Sequence, residues 1–92
     1  MKVTVNYLAQ LKQVAGTPSE SVKLDDACSV QDLVKYVAKQ HGDSLRNFLL
    51  NSESDLRNSI LAIVGYDQVH WETPRQLKEG DEVSFLSPLA GG

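Results

Sequence analysis

The chain has one cysteine, Cys28, in 92 residues. An internal disulfide is therefore excluded, which fits a reducing, cytoplasmic setting. No apolar run approaches the roughly 20 residues that span a bilayer, so no membrane partner is expected. Met1-Lys2-Val3-Thr4 passes straight into an alternating strand, and no signal peptide is expected. Nine basic residues face twelve acidic ones, for a formal net charge of −3. No cluster of lysine or arginine offers phosphate contacts, so nucleic acid is not an expected partner. The balance favours a partner with a positive face. Repeats, low-complexity stretches and domain linkers are also missing, and the length is that of one domain.

Catalytic constellations are missing as well. The two histidines, His41 and His70, are far apart and neither has metal-ligand spacing to Cys28, so no metal site is expected. There is no glycine-rich loop after a strand and no Ser/His/Asp arrangement. His41 falls in the last turn of a helix, where it suits the dipole. Cys28 precedes a helix and reads as a small, partly buried hydrophobe. Trp71 and Tyr66 form either a surface aromatic patch or a cap on the core. Glu79, Asp81 and Glu82 read as a solvated turn, placed to steer a basic partner toward the chain's end.

What is present is a sequence of short elements. Val3, Val5 and Tyr7 alternate with Lys2, Thr4 and Asn6, a strand with one buried face. Leu8, Leu11 and Val14 switch to helical spacing, and Gly16 stops that helix as a C′ glycine. Residues 21–24 alternate again and pair with the first strand. Ser29, with Asp32 three residues on, predicts a capping box. Behind it, Val30, Leu33, Val34, Val37 and Ala38 form one apolar stripe ending at Gly42. Leu45, Phe48 and Leu49 suggest a short helical turn, and residues 51–58 a loop. Residues 60–64, Ile-Leu-Ala-Ile-Val, read as a central strand buried on both faces. A turn at 65–68, a short strand at 69–71, an isolated anchor at Leu77, a turn at 78–81 and a last strand at 83–87 complete the order.

Strands bracketing one long helix at this length predict an α+β fold: a single mixed sheet with the helix across one face. This is the β-grasp, or ubiquitin-like, arrangement, with the first and last strands parallel at its centre. Residues 1–92 are expected to be one such domain with a flexible C-terminal tail at 88–92. Pro88 lacks an N–H and marks the end of the sheet. Leu89, Ala90, Gly91 and Gly92 follow, without a bulky side chain in the last three positions. A terminus that slides through a narrow slot benefits from such residues, since a side chain would block the way. Extended, these four residues reach about 13 Å, at about 3.3 Å each.

Three segments carry a resemblance to the MoaD/ThiS family of ubiquitin-like sulfur carriers, and within it to the small subunits of molybdopterin synthase. Tyr7-Leu8-Ala9-Gln10-Leu11-Lys12-Gln13-Val14-Ala15-Gly16 is similar to the family's opening segment. Leu77-Lys78-Glu79-Gly80-Asp81-Glu82-Val83 is similar to its Leu-x-x-Gly-Asp-x-Val turn. Phe85-Leu86-Ser87-Pro88-Leu89-Ala90-Gly91-Gly92 resembles its hydrophobic-Pro-Pro-hydrophobic-x-Gly-Gly ending, with Ser87 in place of the first proline. The resemblance implies a carrier and co-substrate rather than an enzyme. It implies an activating enzyme of the ubiquitin-activating (MoeB-like) type that spends ATP to adenylate the Gly92 carboxylate. Sulfur transfer then yields a thiocarboxylate. The tail enters a large synthase subunit (MoaE-like) in a heterotetramer, and sulfur passes to a pyranopterin precursor. No cofactor is bound by the carrier itself. Gly92 is then the working residue; Gly91, Ala90, Leu89, Pro88 and Phe85 are its tail and partner contacts. Two other readings stand beside this one. One is a related carrier for thiamine, cysteine or another sulfur pathway, or a ubiquitin-like protein modifier. The other is a plain β-grasp binding module.

Overall fold

A computed structural model describes residues 1–87; the flexible tail expected at 88–92 lies outside the described residues. The chain order is β1 (Lys2–Tyr7), α1 (Gln10–Ala15), β2 (Ser19–Lys23), α2 (Val30–His41), α3 (Asp43–Leu49), β3 (Leu61–Val64), β4 (Asp67–Gln68) and β5 (Glu82–Leu86). Among the described residues there are three helices, of which only α2 is long.

The five strands form one mixed sheet in the order β2-β1-β5-β3-β4. β1 and β5 are parallel, with Val5 opposite Val83 and Tyr7 opposite Phe85. β2 returns antiparallel to β1, and β3 antiparallel to β5. The central parallel pair is the expected one, and it requires the long crossover that the helices supply.

The helices start and stop for local reasons. Ser29 Oγ accepts from the Asp32 N–H at 3.1 Å, and Asp32 Oδ2 accepts from the Ser29 N–H at 3.0 Å. This is the expected capping box, worth about 1 kcal/mol. The start of α2 is also pinned from outside. The Val30 N–H donates to the Arg75 carbonyl and the Leu77 N–H to that of Cys28. Leu77, buried, anchors this loop as expected. Gly16 closes α1 at φ 80°, a left-handed conformation that costs glycine little.

The core lies between the helices and one sheet face. Val30, Leu33, Val34, Val37 and Ala38 of α2 are all buried, with Leu45 and Leu49 of α3 and Leu11 of α1. From the sheet come Val3, Val5, Tyr7, Val22, Ala62, Val64, Val83 and Phe85. Burying each larger side chain contributes about 1.5–3 kcal/mol.

Two sequence expectations are corrected here. The apolar run at 60–64 is not buried on both faces. Ala62 and Val64 are inside, but Leu61 and Ile63 are only half-buried. Helices cover just one side of the sheet, so the other side of β3 meets solvent. The short strand is not at 69–71 but at Asp67–Gln68. Gly65 and Tyr66 form a two-residue turn with Gly65 at φ 61°, and Val64 pairs with Asp67 directly across it. Past Val69, whose N–H still donates to the Ala62 carbonyl, the chain is drawn off the sheet edge. Gln31 Nε2 on α2 donates to the Trp71 carbonyl at 2.9 Å, and Trp71 Nε1 donates to Asp55 Oδ1 at 3.0 Å.

Candidate functional site

The described part of the site is the root from which the C-terminal residues continue: the end of β5. Both flanks of this strand are hydrogen-bonded. Leu86 stands opposite Leu61 on β3, and Phe85 opposite Ala62 on β3 and Tyr7 on β1. The Leu8 N–H extends the ladder past β1 by donating to the Phe85 carbonyl at 3.0 Å. A pull on the chain beyond Leu86 is thus borne by two strands at once.

Phe85 is completely buried. Its ring stacks on Tyr7 with centroids 6.3 Å apart, and Tyr7 meets His41 edge-on at 5.8 Å. Such aromatic pairs contribute about 0.5–1.5 kcal/mol beyond their burial. The expectation that Phe85 touches a partner is corrected: a side chain without solvent exposure holds the root of the tail in place instead. Pro88, Leu89, Ala90, Gly91 and Gly92 lie outside the described residues.

Beside Phe85 sits a small polar cluster. The Tyr7 hydroxyl donates to Glu20 Oε2 at 2.7 Å, and His41 Nε2 lies 2.5 Å from the same oxygen. Burial, reinforced by the Glu20 hydrogen bond and its charge, pushes the Tyr7 hydroxyl well above the usual tyrosine range. The hydroxyl therefore stays a donor. His41, read from sequence as a partner of the helix dipole, has a second role: it ties the last residue of α2 to β2.

The uncovered sheet face carries apolar residues to which sequence reasoning assigned no site role, Leu61, Ile63 and Leu8, beside Leu86, which it placed next to the tail as a partner contact. Leu61, Ile63 and Leu86 point outward and are half-buried, with Leu61 and Leu86 direct cross-strand partners. Leu8, 41% exposed, follows β1 at the same end of the sheet. Toward the start of β5 this face turns polar: Asn6 Nδ2 donates to Glu82 Oε1 and to Ser84 Oγ. An apolar corner thus adjoins the tail root. The signal was the run at 60–64, which holds more apolar residues than one covered face requires.

The other candidates separate. Glu79, Asp81 and Glu82 lie at the start of β5, about 13 Å from Leu86 at about 3.3 Å per strand residue. They are also engaged there: Glu79 accepts from the Lys2 N–H, Asp81 from that of Lys78, and Glu82 from Asn6. Trp71 packs against the core while Tyr66 is fully exposed in the β3–β4 turn. Cys28 is half-buried. Among the described residues no group of histidine, cysteine and carboxylate side chains is placed to hold a metal, and no helix is long and apolar enough to cross a membrane.

The described residues form a ubiquitin-like β-grasp domain whose final strand is clamped on both sides, beside an apolar corner. The chain belongs to the ThiS family, which it matches over residues 5–92, and so to the small sulfur carriers that work with partner proteins and are not themselves catalysts. It is 27% identical to the molybdopterin synthase sulfur carrier subunit of Chlamydomonas reinhardtii, over the whole of both chains. Its fold is that of SAMP1 from Haloferax volcanii, with a TM-score of 0.89, 21% identity and full coverage of both chains. It also resembles a chain of the Amycolatopsis orientalis BexX/CysO complex, with a TM-score of 0.72 and 26% identity, covering 98% of this chain and 99% of that one.

Proposed function

We propose that the chain carries sulfur as a thiocarboxylate on Gly92 and delivers it, as the small subunit of a molybdopterin synthase, to a pyranopterin precursor. The observation that carries this reading is the family match running to residue 92, with Gly91-Gly92 as its last two residues. The full-length likeness to a molybdopterin synthase sulfur carrier supports the choice of pathway.

The chemistry needs little from this chain beyond its end. A carboxylate is a poor electrophile at neutral pH because its charge is delocalised. An adenylating partner lets the Gly92 carboxylate attack the α-phosphate of ATP, releasing pyrophosphate. The resulting acyl adenylate has AMP as a good leaving group; sulfide-level sulfur, delivered as hydrosulfide, attacks the acyl carbon and expels AMP, leaving a thiocarboxylate. That sulfur is nucleophilic near pH 7 and passes to the acceptor in the synthase. Acid, base and nucleotide sites belong to the partners, and no cofactor resides on the carrier. Gly91 and Gly92 let the end fit the slot; Leu89 and Ala90 line its mouth, and Pro88 sets the exit direction. Leu61, Ile63, Leu86 and Leu8 dock against the partner's surface, as apolar anchors do at interface centres.

The test is intact mass after incubation with an adenylating enzyme, ATP and a sulfur donor. One oxygen replaced by one sulfur is expected, mapped to Gly92. Removing Gly92 is expected to abolish the change. A carrier for another pathway is the second reading, favoured by the likeness to the BexX/CysO chain. Loading would then succeed while dithiolene formation with a large synthase subunit fails.

A further inference from the structure

The helical side of the molecule holds a feature that sulfur carriage does not use. Between α2 and α3 lies a cleft of about 500 Å³, lined by Lys35, Lys39, Arg46, Asp43, Ala38 and Leu50, with Gly42 and Ser54 at its margin. This falls within the roughly 300–1,000 Å³ of ordinary ligand sites. Ala38 and Leu50, both buried, supply an apolar floor. Lys35, Lys39 and Arg46 are exposed around it, against the single carboxylate of Asp43. The chain as a whole carries −3, so this concentration of positive charge runs against its average.

Ion pairing does not account for these cations. The ion pairs among the described residues are Met1 with Asp26, His41 with Glu20 and Arg75 with Asp67; Lys35, Lys39 and Arg46 are in none. Lys35 and Lys39 are four residues apart on α2, where like charges repel by a few tenths of a kcal/mol, about 0.2–0.5. Helix dipoles reward Lys39 and Arg46, which stand in the last turns of α2 and α3, but not Lys35. A negatively charged occupant would relieve the repulsion and use all three.

We propose that this cleft is a second docking site, which takes an acidic segment of a partner protein that also carries an apolar side chain. Its charges match the cationic rim and its apolar group meets Ala38 and Leu50. The helices cover one face of the sheet and the apolar corner occupies the other. A partner held in the cleft therefore leaves the corner free, and the domain can be tethered while it is being loaded. The inference does not depend on which sulfur pathway is served.

The test is an NMR titration of the full isotope-labelled chain with a capped hexapeptide, Glu-Leu-Asp-Glu-Leu-Asp, and with its neutral counterpart, Gln-Leu-Asn-Gln-Leu-Asn. The acidic peptide is expected to give saturable amide shifts at Lys35, Lys39, Gly42, Asp43 and Arg46, and the neutral one none. Charge reversal by Lys35→Glu with Lys39→Glu is expected to weaken binding by about tenfold or more, as loss of charge complementarity does. The milder pair Lys35→Gln with Lys39→Gln is expected to weaken it less, and both variants are expected to remain folded, melting a few degrees below wild type as the favourable charge of Lys39 at the end of α2 is lost. Equal shifts with the neutral peptide, shifts on the sheet face, undiminished binding by the charge-reversed chain, or no shifts at all would overturn the proposal. So would a cleft that responds to inorganic pyrophosphate but not to the peptide, since that is a small-anion site. Mass-spectrometric loading of the same variants, unchanged from wild type, is expected to separate this site from sulfur carriage.

Discussion

Tyr7 places a hydroxyl inside the protein, where it donates to Glu20 and its ring supports Phe85. Ionising it would put a phenolate beside a carboxylate in a poorly solvated place, which is why its pKa lies above the usual value near 10. The folded state then keeps a proton that the unfolded chain gives up. Stability from this group is full below about pH 10 and falls as pH rises beyond it. Urea unfolding measured between pH 8 and pH 11 is expected to show that loss, and Tyr7→Phe to abolish this residue's share of it. The same substitution is expected to cost about 1.5–3 kcal/mol at neutral pH, the scale of one hydrogen bond to a charged group. Phe85 and Leu86, adjacent in sequence, are expected to behave oppositely. Phe85→Ala empties a fully buried site and costs about 3–5 kcal/mol, a large part of a typical 5–15. Leu86→Ala costs under about 1 kcal/mol at its half-buried position but weakens partner binding. Denaturation curves check the first, and titration with an adenylating enzyme the second. Sequence alternation places both in a strand, but only the one-sided helical cover separates their roles.

The helices show local chemistry deciding boundaries. Ser29, Asp32 and Gly42 were legible because caps depend on residues within a turn of each other. Ser29→Ala removes one bond of the reciprocal pair and is expected to cost about 1 kcal/mol, or about 4–8 °C in melting temperature for a domain of this size. The double variant Ser29→Ala with Asp32→Ala is expected to cost less than the sum of the two singles, because the bonds support one another. The edge of the sheet was less legible. Val69 and Trp71 carry strand-forming side chains, yet β4 ends at Gln68. What ends it is a set of distant contacts, from Gln31 to the Trp71 carbonyl and from the Trp71 indole to Asp55. Propensity counts only near neighbours, and these partners lie 40 and 16 residues away. His41 was legible as a helix end but not as a partner of Glu20, 21 residues distant.

At the level of the molecule, one sheet divides two surfaces. Its bare face carries the apolar corner at Leu61, Ile63, Leu86 and Leu8; its helical side carries the cationic cleft. A charge placed in the corner is expected to harm docking without disturbing the core. Ile63→Asp is expected to lower kcat/KM for loading by about tenfold or more, the effect of an interface anchor worth at least about 1.4 kcal/mol. Its melting temperature is expected to stay within a few degrees of wild type, since Ile63 is only half-buried. A collapse of the fold instead would assign Ile63 to the core.

The amino-acid order alone determined the strands β1, β2 and β5, the capped α2 with its buried stripe, and the small residues at Gly91-Gly92, because each is written in periods and neighbours a few residues long. It determined the family through segments at both ends of the chain. Only the tertiary structure decided which side of β3 meets water, that Phe85 is an anchor rather than a contact, that Glu79, Asp81 and Glu82 are hydrogen-bonded around the start of β5, and that Lys35, Lys39 and Arg46 share one hollow. Those facts depend on which surfaces cover which, and coverage is set by contacts between residues far apart along the chain.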